Sequence, residues 1–307
     1  MHAKMIVNKD DMPSGDNFTV HNSSFFSGEK RSLPTPDEVR IRAKPALRTF
    51  GPARPPPVLF PELGLLVKYG SFITIAEGQC LWFFNRYMKE RVPTPELYGW
   101  RVEDGQTFIY MQLVDGDPLK DRWPSLSATE RTSIARELGQ CVQAWRELRQ
   151  PEEPFFIGHI GGQGVGDIIF SDQGDANAGP FDSIASFHDF FARYSCRRHP
   201  EWNPREDFEE LAGLTDDRPV VFTHADLDQS NILISRPTQG GEPPHLVSII
   251  DWHQSGWYPI DWEWLKAQWT CPALPSGGRD SSWLEGVVTP ADDDYFYAWE
   301  YITMSCI

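Results

Sequence analysis

Two short apolar runs, "NILIS" (residues 231–235) and "LVSII" (246–250), are separated by "RPTQGGEPPH". Runs this short and rich in Ile, Val and Leu read as strands, and the Pro- and Gly-rich stretch between them reads as a loop. Antiparallel pairing lets each bury the other. Asn231 opens the first strand and Asp251 follows the second, so the pairing brings both to one end of a hairpin. The loop "THADLDQS" delivers His224 and Asp226 to the same end. Two carboxylates and an amide oxygen are hard ligands of the kind Mg2+ takes. A carboxylate left off the ion can accept a hydroxyl proton within its reach. The rival reading of Asp-x-x-x-x-Asn is turn chemistry, with both side chains bonded to loop backbone.

A base and two metal-binding side chains are most of what phosphoryl transfer needs; the remaining part is a lysine for the phosphates. "LGLLVKYG" supplies a candidate. It reads as a buried strand interrupted by Lys68 and stopped by Gly70, and a lysine inside such a strand is costly unless paired or functional.

The rest of the chain can be divided by pattern. Residues 1–35 are polar and without clear periodicity, and read as a mobile N-terminal arm with one short element at most. "PTPDEVRIRAK" starts a short helix, with Thr35 as cap and Pro36 at its first position. "FGPARPPPVLFPELG" is too proline-rich for a regular interior element. "ITIAEGQCLWFFNRYM" has the spacing of an amphipathic helix, and "ELYGWRV" and "TFIYMQLV" form a hairpin around an Asp-Gly turn. Beyond Asp115-Gly116-Asp117-Pro118 the character becomes helical. "SATERTSIARELGQCVQAWRELRQ" opens on a capping box, Ser127 with Glu130.

Composition sets limits. Hydrophobic residues make up 40% of 307, with 12 Trp and 19 Phe, enough for a substantial core. A net charge of −16 disfavours nucleic acid and anionic membranes as partners. No run approaches the ~20 apolar residues that span a bilayer. The five cysteines are scattered, with no C-x-x-C, so neither a disulfide framework nor a zinc site is expected. With no apolar signal segment at the N-terminus, a cytoplasmic location is expected, and the two N-x-S/T sequons there read as coincidental.

His224-x-Asp226-x-x-x-x-Asn231, followed by Ile250-Asp251-Trp252, resembles the aminoglycoside phosphotransferase-like family of small-molecule kinases, fungal members in particular. Their pattern is related to the kinase H-R-D-x-x-x-x-N and D-F-G elements. The resemblance extends from about Leu63 onward and includes "LLVKYG", "AEGQCLWFF", "VPTPELYGW", "YMQLVDGDPL" and "GWYPIDWEWLKAQW". It implies an α+β, bilobal, protein-kinase-like fold. A β-rich N-lobe would span 36–114 and a mainly helical C-lobe 115–307.

The resemblance also implies roles. Lys68 holds the phosphates of ATP, or alternatively GTP, and Glu77 orients it, unless the helix register puts Gln79 there. The backbone of Gln112, Leu113 and Val114 meets the base of the nucleotide. Asp226 is the catalytic base, Asn231 and Asp251 hold Mg2+, and His224 supports the loop. Asp261 and Glu263, among Trp257, Trp262 and Trp264, are candidate acceptor-binding residues and would suit a cationic or amino-alcohol-like hydroxyl substrate; the rival reading makes Asp261 a helix cap and Glu263 an inter-helix support. Two features depart from kinases. No G-x-G-x-x-G precedes Lys68, and Trp252-His253 stands where Phe-Gly would, with too little chain before "GWYP" for a regulated activation loop. A catalytically silent nucleotide- or ligand-binding protein, and more remotely a protein Ser/Thr kinase, are the alternatives.

Overall fold

The computed structural model describes residues 5–27, 31–50, 55–171, 178–237, 240–271 and 279–305. Its first part is a five-stranded antiparallel sheet in the order β1-β4-β5-β3-β2, made of β1 (Asn17–Thr19), β2 (Val58–Phe60), β3 (Leu65–Gly70), β4 (Leu97–Glu103) and β5 (Gln106–Gln112). The β4–β5 turn places Asp104 and Gly105 at φ 54° and 70°, the left-handed pair that makes Asp-Gly a hairpin signal. Helix α1 (Pro36–Phe50) begins where Thr35 and Glu38 cap each other, the Thr35 N–H donating to the Glu38 carboxylate at 2.7 Å. Helix α2 (Ile75–Phe83) continues through one π-turn, Phe84–Met88, and approaches the sheet closely because Gly78 meets the Trp100 ring, where a Cβ would have no room.

After β5 the chain passes through β6 (Asp117–Pro118) and α3 (Leu119–Arg122) into α4 (Ala128–Arg146), whose predicted Ser127–Glu130 capping box is formed. The second lobe is completed by α5 (Ile168–Ser171), α6 (Ile184–Ala192), α7 (Pro204–Asp207), α8 (Trp262–Thr270) and α9 (Asp293–Ser305). Two small sheets sit in it: β7 (Val220–Thr223) pairs with β10 (Gly256–Pro259), and β8 (Ile232–Ile234) lies between β6 and β9 (Leu246–Ile249). The fold is thus the expected α+β bilobal, protein-kinase-like one. A single apolar cluster passes between the lobes, from Trp100 and Phe84 to Trp145, Phe222 and Trp252. Trp252 is its wedge, 4.5 Å from the Phe84 ring and edge-on to Trp145 at 5.4 Å.

Two segments differ from the sequence reading. The described part of residues 1–35 does not stand off the protein as an arm. The Val7 N–H donates to the Arg149 carbonyl just after α4 and the Arg149 N–H to the Met5 carbonyl, Met12 and Phe25 are buried, and β1 forms the sheet edge beside β4. Single apolar anchors separated by polar residues leave no periodicity to read, and the pairing partner lies far along the chain. The proline-rich stretch also yields β2; prolines are tolerated beside an edge strand, where a missing N–H breaks no ladder. Residues 51–54 of that stretch lie outside the described ones.

Gly99 makes the β1 contact testable. Its φ is 153°, the β4–β5 register shifts beside it, and a Cβ there would collide with the Phe18 carbonyl oxygen of β1. Gly99→Ala is expected to cost about 1–3 kcal/mol through strain and displacement of β1, read as a lower denaturant midpoint. A wild-type midpoint would show that β1 is not held this way.

Candidate active site

Lys68 points from β3 into the cleft, its neighbours Val67 and Tyr69 buried on the other face of the strand. Its Nζ lies 2.6 Å from Glu77 Oε1 and 2.6 Å from Asp251 Oδ1. Burial opposes the ammonium charge, and the two carboxylates outweigh it, holding the Lys68 pKa above the ordinary lysine value. The register of α2 therefore selects Glu77 as the pairing residue. Gln79 faces elsewhere, donating to the Pro13 carbonyl at 2.8 Å and accepting from Gln163 at 2.6 Å.

The loop after β7 is shaped from beneath. His224 is fully buried, and Ala225 has φ 61°, unusual for a residue with a Cβ. Both backbone N–H groups donate to the Glu263 carboxylate, at 2.7 and 3.0 Å. His224 Nδ1 accepts from the Asp226 N–H at 3.2 Å, which leaves Nε2–H to donate to the Ile250 carbonyl at 3.1 Å. Burial lowers its pKa to about 4. The ring is thus a neutral strut tying the Asp226 loop to the strand that leads to Asp251.

Asn231 donates through Nδ2 to the Asp226 carbonyl and carboxylate, at 2.9 and 3.1 Å. The Ile250 N–H donates to the Asn231 carbonyl at 2.9 Å, so the β8–β9 pairing does bring the two ends together. Asp228 instead caps its own short turn through Ser230. Asp251 takes φ 67°, after which the Trp252 indole N–H closes the turn onto the Ile249 carbonyl at 2.8 Å. Its Oδ1 accepts from Lys68 and from His253 Nδ1, the latter also at 2.6 Å. Burial pushes the Asp251 carboxyl up, but Lys68 and His253 pull it well below the usual range. For Asp226 burial is the larger effect and raises its pKa, with Lys266 and His253 offsetting it only in part.

One ligand atom from each of Asp226, Asp251 and His253 lies within 4.8 Å of the others. With Asn231 hydrogen-bonded to Asp226, these donors fit a divalent cation. A cavity of about 440 Å³ opens on them, walled by Phe72 and Ile73 from the β3–α2 loop, Pro55 and Pro57 ahead of β2, and Ile168. Ile168 is held there because Asp167, fully buried, accepts from the Trp262 indole N–H and the Lys266 ammonium.

One expectation is corrected. Asp261 and Glu263 do not face the cavity. Glu263 is fully buried under the Asp226 loop, and Asp261 is buried against Arg218 and the Asp292 N–H without capping α8 through its side chain. An acidic residue among tryptophans looks the same in sequence whether it faces ligand or backbone. In the segment Gln112, Leu113 and Val114, the N–H groups of Gln112 and Leu113 are given to the Glu96 and Gly64 carbonyls, at 2.8 and 2.9 Å. That of Val114 has no partner among the described residues. The residue that sequence reasoning passed over is His253, visible only as a departure from Phe-Gly.

A lysine–glutamate pair over a loop Asp and Asn and a strand-end Asp defines a phosphotransferase of the protein-kinase-like class. Residues 83–279 of the 307 match the family described as APH: Phosphotransferase enzyme family. The chain belongs to this family and is a small-molecule kinase. Lys68 and Glu77 precede the matched span, so their place in the site rests on the geometry above.

Among solved structures it is similar to an aminoglycoside-3'-phosphotransferase of type VIII, at 14% identity over 79% of this chain and 85% of that one, with a TM-score of 0.47. It is also similar to aminoglycoside phosphotransferase APH(3'')-Id from Streptomyces rimosus, at 18% identity over 79% and 87%, with a TM-score of 0.44. A comparison with curated proteins finds no match. Among the described residues no helix is long and apolar enough to cross a membrane.

Proposed function

We propose that the protein transfers the γ-phosphoryl group of ATP, with GTP as the alternative donor, to a hydroxyl of a small molecule, using Mg2+ or a similar divalent ion. The observation that carries this reading is the placement of Lys68, tied to both Glu77 and Asp251, on the same cavity as Asp226. Lys68 pairs with the phosphates, and Asn231 and Asp251 hold the ion. The ion, when bound, neutralises charge on the transferring group. Asp226 orients the acceptor hydroxyl and takes its proton. His224 and Glu263 hold the loop. Of Gln112, Leu113 and Val114, Val114 is the one whose N–H has no partner among the described residues, and it would meet the nucleotide base.

A cationic acceptor loses its support once Asp261 and Glu263 are placed inside the fold. Phe72, Ile73 and Ile168 favour instead an alcohol or phenol with an apolar face. The test is a phosphotransfer assay with ATP and Mg2+ against a panel of amino alcohols, apolar alcohols, phenols and generic protein substrates. It is read by mass spectrometry as the gain of one phosphoryl group. Apolar hydroxyl compounds should be modified first. Transfer confined to protein Ser or Thr would overturn the reading.

One observation favours the silent-binder alternative. Pro55 and Pro57 line the cavity over Lys68 and have no N–H to offer phosphate oxygens. Calorimetry decides the point: absence of binding at millimolar ATP with Mg2+ would favour a protein that does not transfer phosphate.

A further inference from the structure

We propose that His253 is itself a ligand of the metal ion, and that the site therefore prefers a first-row transition ion such as Mn2+ or Co2+ to Mg2+. The inference rests on the reading of Asp251 as the metal-holding carboxylate.

His253 occupies the position after Trp252 and is the third member of the cluster with Asp226 and Asp251. Its ring is about one-third exposed and lines the cavity. That separates it from His224 and His159, whose rings are buried behind the site and engaged with backbone carbonyls. Its backbone is pinned. The His253 carbonyl accepts from His159 Nε2 at 2.6 Å, and the turn Trp252–Gln254 is anchored by the Trp252 indole in the inter-lobe core. The ring is therefore delivered to Asp251 by a rigid element.

Donor type decides what such a site selects. Asn231 and Asp251 alone are an oxygen set that suits Mg2+, which demands near-ideal octahedral geometry. An imidazole nitrogen is a donor that Co2+ and its neighbours bind more readily, with affinity rising from Mn2+ toward Cu2+. Adding His253 to two oxygen donors moves the preference away from Mg2+ while leaving Asp226 free for the acceptor hydroxyl; the ion takes the place of the proton that Nδ1 shares with Asp251, and that proton is released to solvent. The competing role for His253 is positional: its Nδ1 bond would orient Asp251 and never touch the ion. That role would affect every ion alike.

The experiment titrates the full chain with Mn2+ and, in competition, Mg2+, in the presence of a non-hydrolysable ATP analogue. The free Mn2+ signal is followed by electron paramagnetic resonance. Wild-type protein should hold Mn2+ about tenfold or more tighter than Mg2+, and His253→Gln should weaken Mn2+ by about 10- to 100-fold while moving Mg2+ much less. Glutamine can still donate to Asp251, so a purely positional role would leave the ratio of the two ions unchanged and overturn the proposal.

Electron spin-echo modulation of the Mn2+-loaded protein gives a direct signature. Coupling to a ligand nitrogen should appear in wild type and vanish in His253→Gln; bound Mn2+ without that coupling would also overturn it. Asp251→Asn separates the two levels of inference. Loss of both ions in Asp251→Asn, with no effect in His253→Gln, would overturn the His253 role alone. Unchanged Mn2+ binding in Asp251→Asn, or no ion binding by wild type, would overturn the underlying reading of the site.

Discussion

Asp226→Asn is expected to lower kcat by about 10²–10⁴-fold, the range a positioned general base supplies. Nucleotide binding should stay close to wild type, because Lys68, Glu77 and Asp251 form their own ion-pair cluster without Asp226. Asparagine keeps the shape and an oxygen to accept from Asn231 Nδ2, but it cannot take a proton. Single-turnover kinetics together with calorimetry for ATP check both halves. A variant that turns over at the wild-type rate would remove Asp226 from the base role.

The same residue predicts a pH profile. Burial raises the Asp226 pKa above its ordinary 3.8, and the base works only when deprotonated. The acid limb of kcat/KM, which reports the free enzyme, should therefore fall off at a higher pH than an ordinary aspartate would give.

Glu263→Ala is expected to destabilise the protein by about 2–4 kcal/mol, because it strands two buried N–H groups, those of His224 and Ala225. Activity should fall with it. Ala225 sits at φ 61°, and the two bonds to Glu263 are what hold the loop in that conformation and so fix where Asp226 stands. Glu263→Gln retains an acceptor oxygen and should lose less.

Burial raises the Glu263 pKa to about 7, partly offset by Arg146 and the two N–H donors. Between the ordinary 4.5 and about 7 the folded protein keeps a proton that the unfolded chain has released. On this account stability falls as pH rises through that window and levels off above it. The Gln variant should lack that slope, and denaturant midpoints measured across the window compare the two. An alanine variant as stable as wild type would mean that the loop finds other acceptors.

Much of the site was legible in sequence because its parts lie close along the chain. Asp226 and Asn231 share one loop, and the strand pairing that joins Asn231 to Asp251 follows from two apolar runs and the breaker residues between them. Caps such as Ser127–Glu130 are likewise local. Lys68 announced itself as a charge in an apolar strand. His224 reads as a support of the loop, and its ring accepts from the Asp226 N–H and donates to the Ile250 carbonyl.

What was not legible depends on which distant segment a side chain meets. The spacing of α2 admits either Glu77 or Gln79 toward the cleft. The choice falls to contacts with Lys68 on β3 and with Pro13 and Gln163 on other segments. Asp261 and Glu263 read either toward the acceptor, because acidic residues among aromatics suit a cation, or as a helix cap and an inter-helix support; in the folded chain one meets Arg218 and the other a pair of backbone N–H groups. The docking of residues 5–27 depends on an edge of β4 that no local pattern reveals.

The sequence by itself determined the candidate set Lys68, Asp226, Asn231 and Asp251, since hydrophobic period, strand pairing and loop spacing are short-range properties. Only the tertiary structure decided that Glu77 pairs with Lys68, that Glu263 lies beneath the Asp226 loop, and that His253 stands against Asp251. Burial and ion pairing are properties of surfaces brought together across the fold, and the energy of a charge depends on what it meets there.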